Sequence, residues 1–590
     1  MSRQIKLTLI FLSLFVMLWS GWSMWSDYQN EILWGYWPLI GFVAGWTFVR
    51  LMLSIRWKKE DERWKWLGLS SLTGLILSLG FPPLPLTFLM FVGFVPLLLL
   101  ENQLQGRERS VKTLLAFSYN AFVIWNILTT FWVANTAFIA GIAAIWINSF
   151  LMCIPFLLFH FGKKYMPGIA FILFAGLWIS FEYIHLHWEL SWSWLNLGNA
   201  FATFPTWIQW YEFLGVFGGS LWVLIINFMI FKLIIRIQSG DAVSFFEKVK
   251  PGLVFLIPVM ISLGMYFSYE EQGRPTEVVV VQPNFEPHYK KFNLPDSLQV
   301  RTAIKLAEPL ITERTRYVLL PETAFGLVEI HKFNEDYNVK MLRDLVRRHP
   351  NIKVVTGVDS YKILEDEEPS TRFTRFLPRR YGDTMRYEVY NGAIQLDSSA
   401  IGVVPHYQKS KLVPGPEIFP YRKLFFFLDP IIKKLGGSPS GLATQEKRTP
   451  LVSTAGKVAP VICYESVFGE YHTGYMKEGA EATFIMTNDG WWDNTPGHTQ
   501  HLYFASLRAI ETRKSIARSA NSGTSAFINQ RGDILQATKY DEPAAIRGDI
   551  LMNDVSTFYI TRGDLIAKLA CFVSILFLLN LIVKYLMRKK

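Results

Sequence analysis

The sequence predicts a polytopic α-helical membrane domain joined to an α/β domain whose sheets are covered. Three observations predict it. Hydrophobic residues make up 51% of the 590 residues and aromatics 15%, values that suit a chain meeting lipid. The apolar residues are concentrated in 1–270 and again in 565–586, as long runs with short polar breaks. Between them, 275–555 carries ordinary charge and repeats short runs rich in Val, Ile and Leu. A chain this long exceeds one ordinary domain. The expected organisation is a membrane domain over 1–270 with about nine spans, an α/β domain over 275–555, a last span over 565–586 and a tail at 587–590.

A membrane helix needs about 20 mostly apolar residues. Candidate spans lie near 5–25, 32–54, 67–83, 86–100, 114–134, 138–161, 168–188, 216–235, 251–268 and 565–586. The third and fourth are short, and the turn "GFPPLPL" between them breaks a helix at its prolines, so this pair is either two spans or one re-entrant pair. The first run is long and lacks a small-residue cleavage site, so it reads as a span and not as a signal peptide.

The breaks alternate in charge. "RWKKEDERWK", "GRERSVK", "GKKYM", the region of Arg236, Lys248 and Lys250, and the tail "KYLMRKK" are basic, whereas 26–31, 84–85, 135–137 and 189–215 hold no Lys or Arg. The positive-inside rule puts the basic set in the cytoplasm. Ten spans then leave both termini inside and 275–555 outside, and losing spans three and four as a pair preserves that parity. The formal charge of +11 thereby has a topological explanation, and a nucleic-acid partner is not required. The break 189–213 has five Trp and Tyr residues and reads either as an interfacial aromatic belt or as a surface facing substrate. Glu182, His185 and His187 sit near a span end, where interfacial exposure is expected.

In 275–555, strand-like runs appear at 277–284, 316–323, 351–359, 390–397, 457–465, 481–489 and 522–534. Helical spacing marks 298–313, 333–348 and 499–513. Strands alternating with helices indicate an α/β domain. Polar residues follow several strand ends: Glu322 after "VLLP", Cys463 after "APVI", Asn488 and Asp489 after "TFIMT". In α/β sheets, sites gather at the carboxyl ends of strands.

Three cysteines, Cys153, Cys463 and Cys571, make no disulfide framework. Cys153 and Cys571 lie in apolar runs, so Cys463 alone stands in the α/β part. No Cys/His cluster has zinc-ligand spacing, and no cofactor is called for. Each polar residue also has a plain reading: Glu322 as a helix cap, Cys463 as strand filler, the lysines of "HYQKSKLVPGPE" as solvated. Together they suit thiol-based acyl transfer. A carboxylate can deprotonate the thiol, a lysine and backbone N–H groups can stabilise the oxyanion, and the acyl group waits as a thioester.

"LLPETA", "YQKSKLVPGPE" and "VICYES", in that order, resemble the Glu–Lys–Cys motifs of the nitrilase (carbon–nitrogen hydrolase) superfamily. Many spans, a nitrilase-like domain and one last span resemble its membrane-embedded apolipoprotein N-acyltransferase family. "NDGWW", "QHLYFASLRAIET" and "ARSANSGTSAFINQRG" are similar as well. The resemblance implies an αββα sandwich with Glu322 as general base, Lys409 as transition-state lysine, Cys463 as nucleophile, and Glu417, Tyr464 and Glu465 in support. Lys411, the lysine next to Lys409, falls at a variable position. The implied reaction moves an acyl chain from a membrane phospholipid to the α-amino group of a diacylated apolipoprotein. It runs in the bacterial inner membrane with the catalytic domain in the periplasm. Three departures stand out. "VPFGE" is here "VPGPE", the tryptophan usual after the first strand is missing from "EPHYKKFN", and the pair of runs in 5–54 is additional.

Between Lys409 and Cys463, "IFPYRKLFFFLDPIIKKLGG" places Phe425, Phe426 and Phe427 beside lysines. They are expected to form an arm that dips into the headgroup layer, followed by flexible Gly436, Gly437, Ser438 and Pro439. Two rivals use the same sequence. One is a membrane-anchored amidohydrolase of the nitrilase type. The other is a transporter or sensor with an inactive external domain, which calls for buried polar residues in the spans.

Overall fold

The computed structural model describes residues 3–378, 384–398, 402–428 and 440–587. The first half is helical because a chain in lipid must satisfy its own backbone hydrogen bonds. Its helices are α1 (Arg3–Gln29), α2 (Trp37–Leu53), α3 (Arg63–Leu79), α4 (Val95–Leu104), α5 (Ser110–Thr130), α6 (Phe138–Tyr165), α7 (Ala170–His187), α8 (Tyr211–Gln238) and α9 (Phe245–Ser268). Among the described residues, eight helices of the whole chain are long and apolar enough to cross a membrane. They correspond to the first and to the fourth to tenth of the expected runs, and the second and third are α2 and α3. The helices α2 and α3 have 17 residues each, about 26 Å of helix against a hydrocarbon layer of about 30 Å. The expected short span at 86–100 is longer than the sequence suggests, because a 3-10 turn at Thr87–Val92 leads into α4.

A second correction concerns Glu182 and His185. Both are buried, and only His187 is exposed. Their partners account for this. Glu182 accepts hydrogen bonds from Ser220 Oγ (2.6 Å), Leu197 N–H (2.8 Å) and Trp178 Nε1 (3.0 Å). His185 lies between Asn148 Oδ1 (2.9 Å) and Trp188 Nε1 (2.7 Å). The segment 189–213 is likewise mostly a packed seam and not an interfacial belt. It folds into 3-10 turns at Leu197–Thr203 and Pro205–Trp207, with Trp194 and Phe201 buried. Tyr211 Oη donates to the Gly198 carbonyl at 2.9 Å, and Trp194 Nε1 donates to Gln500 Oε1 at 2.7 Å.

The second half contains two sheets. The first sheet holds β1 (Arg274–Gln282), β2 (Thr315–Leu319), β3 (Phe325–Glu329), β4 (Lys353–Ile363), β5 (Arg375–Pro378), β6 (Thr384–Leu396) and β7 (His406–Gln408). The second holds β8 (Leu451–Ser453), β9 (Gly456–Ile462), β10 (Ala482–Thr487), β11 (Ile516–Ala520), β12 (Ala526–Ile528) and β13 (Ile534–Ala537). The last strand, β14 (Ala544–Met552), returns to the first sheet and pairs antiparallel with β1. The strands β1, β2 and β4 run parallel, as do β9, β10 and β11.

The run "VVVV" in β1 shows why the strands are continuously apolar. Val278 and Val280 face the second sheet, whereas Val279 and Val281 face α10 (Asp296–Ala307) and α11 (Tyr337–Arg348). The second sheet is covered in turn by α12 (Gly469–Lys477) and α13 (Pro496–Thr512), giving the four layers of an αββα sandwich. The chain ends in the apolar helix α14 (Leu565–Met587).

The two halves share one apolar core. Leu502, Ala505 and Ala509 of α13 pack on the sheet, while Phe504, Leu507 and Ile510 join the core of the helical half. Polar bonds lock this junction. Gln500 Nε2 donates to the carbonyls of Pro82 (2.7 Å) and Thr129 (3.3 Å), and Arg513 Nη1 donates to Gln209 Oε1 at 2.6 Å. Gly35, between α1 and α2, donates its N–H to Asp493 Oδ2 at 2.9 Å. Gln500→Ala should orphan Trp194 Nε1 and weaken the junction by about 2 kcal/mol. The thermal midpoint in detergent should fall, and limited proteolysis between the halves should speed up. An unchanged midpoint and digestion pattern would show that the shared core alone carries the junction.

Candidate active site

Strand β9 ends at Ile462, and Cys463 turns the chain with φ +47° into a 3-10 turn over Cys463–Val467. A residue other than glycine holds a positive φ only where its surroundings dictate it. Here Ile462 N–H donates to Glu465 Oε2 (2.9 Å), and Ser466 Oγ donates to the Cys463 carbonyl (2.8 Å). His501 Nε2 lies 3.2 Å from that carbonyl. The thiol residue is 8% exposed.

Glu322 follows β2 across Pro321 and is buried. The next residue, Thr323, also has positive φ, +48°. Gly357 of β4 permits this approach: a Cβ there would lie 2.6 Å from Glu322 Cα and 2.7 Å from the Pro321 carbonyl. Buried Lys291 braces the turn, with Nζ 2.6 Å from Thr323 Oγ1 and 3.3 Å from the Glu322 carbonyl.

Lys409 follows β7, and its N–H donates to the Asn391 carbonyl of β6 at 2.8 Å. Its buried Nζ sits between Glu417 Oε1 (2.8 Å) and Glu322 Oε1 (3.1 Å). Asn391 Nδ2 bridges the same two oxygens at 2.8 Å (Glu322) and 3.2 Å (Glu417). Glu417 also accepts Val413 N–H at 2.7 Å, which closes the "VPGPE" loop on itself. Lys411, the competitor for the lysine role, points elsewhere, toward the Leu186 carbonyl at 3.4 Å.

The electrostatics follow from burial and these neighbours. Burial pushes the Cys463 thiol well above its usual range. The Glu322 carboxylate adds to the rise, and Lys409 opposes it. The Lys409 ammonium loses solvation on burial, but Glu322 and Glu417 outweigh that and hold it well above its ordinary value. Nearby, burial lowers Lys291 and raises Asp359, each opposed by the other. The site therefore keeps a neutral thiol and a charged lysine in one buried volume.

Glu465 and Tyr464 hold the turn in place. Glu465 Oε1 accepts Tyr407 Oη (2.6 Å), Ser410 N–H (2.7 Å) and Tyr471 Oη (2.7 Å). Burial raises its carboxyl, and the Ser410 and Tyr407 hydrogen bonds oppose the rise. Tyr464 Oη donates to the Ser191 carbonyl of the helical half at 2.9 Å. Phe425, Phe426 and Phe427 lie apart from this cluster, 41%, 67% and 61% exposed. The chain is anchored just before them, where Glu189 accepts Tyr421 N–H at 2.5 Å and Arg372 Nη1 at 2.6 Å. The expected flexible residues Gly436, Gly437, Ser438 and Pro439 lie outside the described residues.

Several residues of the site escape the sequence reading. Asn391 and Lys291 are two. A third group is the buried network under Cys463, where Asp489 binds Arg518 Nη2 (2.5 Å), His501 Nδ1 (3.0 Å) and Thr487 Oγ1 (2.7 Å). Phe292, from "EPHYKKFN", stacks on Trp491 at 5.9 Å. Asp489, His501 and Arg518 each lie in one of the quoted family-like blocks, and what the sequence does not show is that they meet.

Residues 73–229 match the family model described as Apolipoprotein N-acyltransferase N-terminal domain, and residues 277–558 match Carbon-nitrogen hydrolase. The Apolipoprotein N-acyltransferase of Chlorobaculum tepidum is 28% identical over 517 residues, covering 84% of this chain and 92% of that protein. Its namesake in Geobacter metallireducens is 24% identical over 516 residues, covering 84% and 91%. Among solved structures, Saccharomyces cerevisiae Nit3, a member of branch 10 of the nitrilase superfamily, aligns at 15% identity and a TM-score of 0.34, covering 50% of this chain and 95% of that one.

The raised Cys463 thiol has a direct consequence. Ionisation is the reactive step for alkylation, so the rate at Cys463 should keep rising with pH past about 8.5, where an ordinary cysteine levels off. Peptide-resolved mass spectrometry after timed iodoacetamide treatment separates Cys463 from Cys153 and Cys571. A plateau below pH 8 at Cys463 would contradict a thiol held neutral by burial.

Proposed function

Because this chain belongs to the apolipoprotein N-acyltransferase family, the membrane-embedded branch of the carbon–nitrogen hydrolases, and is a multi-pass membrane acyltransferase, we propose the following reaction for it. It moves an acyl chain from a membrane phospholipid to the α-amino group of the N-terminal S-diacylglyceryl-cysteine of a lipoprotein. The observation that carries this reading is the buried Glu322–Lys409–Glu417 cluster within electrostatic reach of Cys463, seated on a membrane-spanning half.

In the proposed cycle Glu322 takes the proton of the Cys463 thiol as sulfur attacks the phospholipid ester carbonyl. Lys409 and backbone donors stabilise the oxyanion. The ester C–O bond breaks, Glu322 returns the proton to the departing oxygen, and a lysophospholipid leaves. The lipoprotein amine then attacks the thioester. Glu322 accepts its proton, the C–S bond breaks, and the proton returns to sulfur. Glu417 keeps Lys409 charged and in place.

The charge pattern of the breaks supports catalysis on the periplasmic side. Lys6 Nζ donates to the Ser54 carbonyl at 3.1 Å and the Trp57 carbonyl at 2.6 Å, so α2 brings the basic break 56–65 back to the side of the N-terminus, and ten crossings with α2 and α3 included suit all the basic breaks and both termini on the cytoplasmic side. Incubation of the purified protein with labelled phospholipid and a diacylated lipopeptide should give N-acylated peptide and lysophospholipid. Cys463→Ser should abolish labelled acyl-enzyme, and Glu322→Gln should slow its formation about 10²–10⁴-fold. Label on the serine variant at the normal level would remove Cys463 from the mechanism, and free fatty acid with no peptide product would favour an amidohydrolase-type enzyme.

The exposed Phe425–Phe427 run suits an arm resting in the headgroup layer. Changing all three to Ser should lower turnover of vesicle-borne phospholipid while leaving the thermal midpoint within its normal spread. Equal turnover by the triple variant would take the arm out of the reaction.

A further inference from the structure

Where the end of α7 meets the loop after Lys409 there is a cavity of about 450 Å³. His187, Trp188 and Ser191 line it from the helical half, and Lys411, Tyr421 and Thr444 line it from the other. Its depth is set by the fold. A membrane-spanning helix that ends in His187 and Trp188 ends at the level of lipid headgroups.

Lys411 is the feature of this cavity that nothing in the site uses. An ammonium carries three donors, yet among the described residues Lys411 Nζ reaches only the Leu186 carbonyl, at 3.4 Å. Its other neighbours are ring faces, Phe468 at 4.9 Å and Tyr471 at 5.9 Å. Among the described residues no carboxylate lies in ion-pair contact with it. Glu189, on the same wall, is already committed to Arg372 and to Tyr421 N–H. Arg448, 4.8 Å from the Tyr471 ring, adds further positive potential. Burial pulls the Lys411 ammonium down, with Arg448 adding to the fall and Glu465 opposing it, so an anion in the cavity would relieve the site. The cavity lining touches the Cys463 turn directly, because the Ser191 carbonyl accepts Tyr464 Oη at 2.9 Å and Ser410 donates its N–H to Glu465 at 2.7 Å.

We propose that this cavity binds the phosphodiester of the acyl donor through Lys411, with the Ser191 and Thr444 hydroxyls beside it, and so points the donor's ester at Cys463. The assignment rests on the transferase reading and deepens it. It makes the donor a glycerophospholipid selected by its phosphate, and it gives the variable second lysine a task in specificity.

The test is acyl-enzyme formation by the full chain in detergent with three donors: dioleoylphosphatidylglycerol micelles, phosphate-free dioleoylglycerol and p-nitrophenyl butyrate. Lys411→Ala should raise the half-saturating concentration of phosphatidylglycerol about tenfold, with the maximal rate kept. It should leave the other two donors unchanged, and Lys411→Arg should restore most of the loss. An equal fall with all three donors would make Lys411 structural, and no change with any would leave the cavity without a phosphate role. Either result overturns the proposal while the transferase reading stands. A wild-type protein that turns over the nitrophenyl ester but takes no acyl group from either lipid overturns both.

Discussion

The Glu465 carboxylate accepts backbone N–H groups from two separate loops, Ile462 at the end of β9 and Ser410 next to Lys409, along with two tyrosine hydroxyls. An isolated buried carboxylate costs several kcal/mol. Glu465 is buried completely, and these donors are what make it tolerable there. The constraint works in both directions. The carboxylate needs all of its donors, so the turn that presents Cys463 and the loop that presents Lys409 cannot move independently. The positive φ of Cys463 is sustained by the same bonds, with Ser466 and His501 on its carbonyl.

With the two loops fixed, the charges fall into place. One lysine serves two carboxylates, and the Asn391 amide is shared between them. Burial, with Glu322 adding to it and Lys409 opposing it, keeps the Cys463 thiol protonated. That suits a proposed base that acts only when substrate arrives. When Glu322 is protonated in the cycle, Lys409 still has Glu417 as its counter-ion, and its attraction is free to turn toward a developing oxyanion. In a dry site that attraction is much stronger than in water. Lys291 and Asp359 each steady the other's charge near Glu322, and Lys291 Nζ holds the strained Thr323 turn through its hydroxyl.

Much of this is legible in the sequence, for identifiable reasons. Glu322 and Cys463 stand at the ends of apolar strands, where a polar residue is conspicuous. Lys409 is distinguished from Lys411 only by family spacing, and its place between two carboxylates agrees with that choice. Asn391 is hidden because β6 mixes polar and apolar residues along its length, so one more amide does not stand out. The Asp489–His501–Arg518 network draws on three elements separated along the chain, and no local pattern shows that they meet. Glu182 and His185 were legible as polar residues near a span end. Their burial depends on Ser220, Leu197, Asn148 and Trp188, which only tertiary structure supplies. Hydropathy also overstates α2, expected over 32–54 and helical over Trp37–Leu53, and it sets α3 four residues late, because the apolar run continues past Leu79 while the helix does not.

The enclosure of Cys463 has a cost and a return. Burial suppresses the thiolate, which slows attack, and the same burial keeps water from an acyl group held on sulfur. In the proposed cycle that exchange is a gain, because a thioester on Cys463 would have to outlast the wait for an amine. The enclosure is built across the junction of the two halves. Tyr464 reaches the Ser191 carbonyl, and Trp194 packs on Trp132 at 4.8 Å and on Trp492 at 5.6 Å. Asn135 Nδ2 binds the Trp492 carbonyl at 3.2 Å and the Gly35 carbonyl at 3.1 Å, and Gly35 N–H binds Asp493. The additional helices α1 and α2 thus end on the same loop that carries Trp492 and, at its start, Asp489. Their contribution follows from this placement. They brace from the membrane side a loop whose inner end supports His501, and His501 lies against the carbonyl of Cys463.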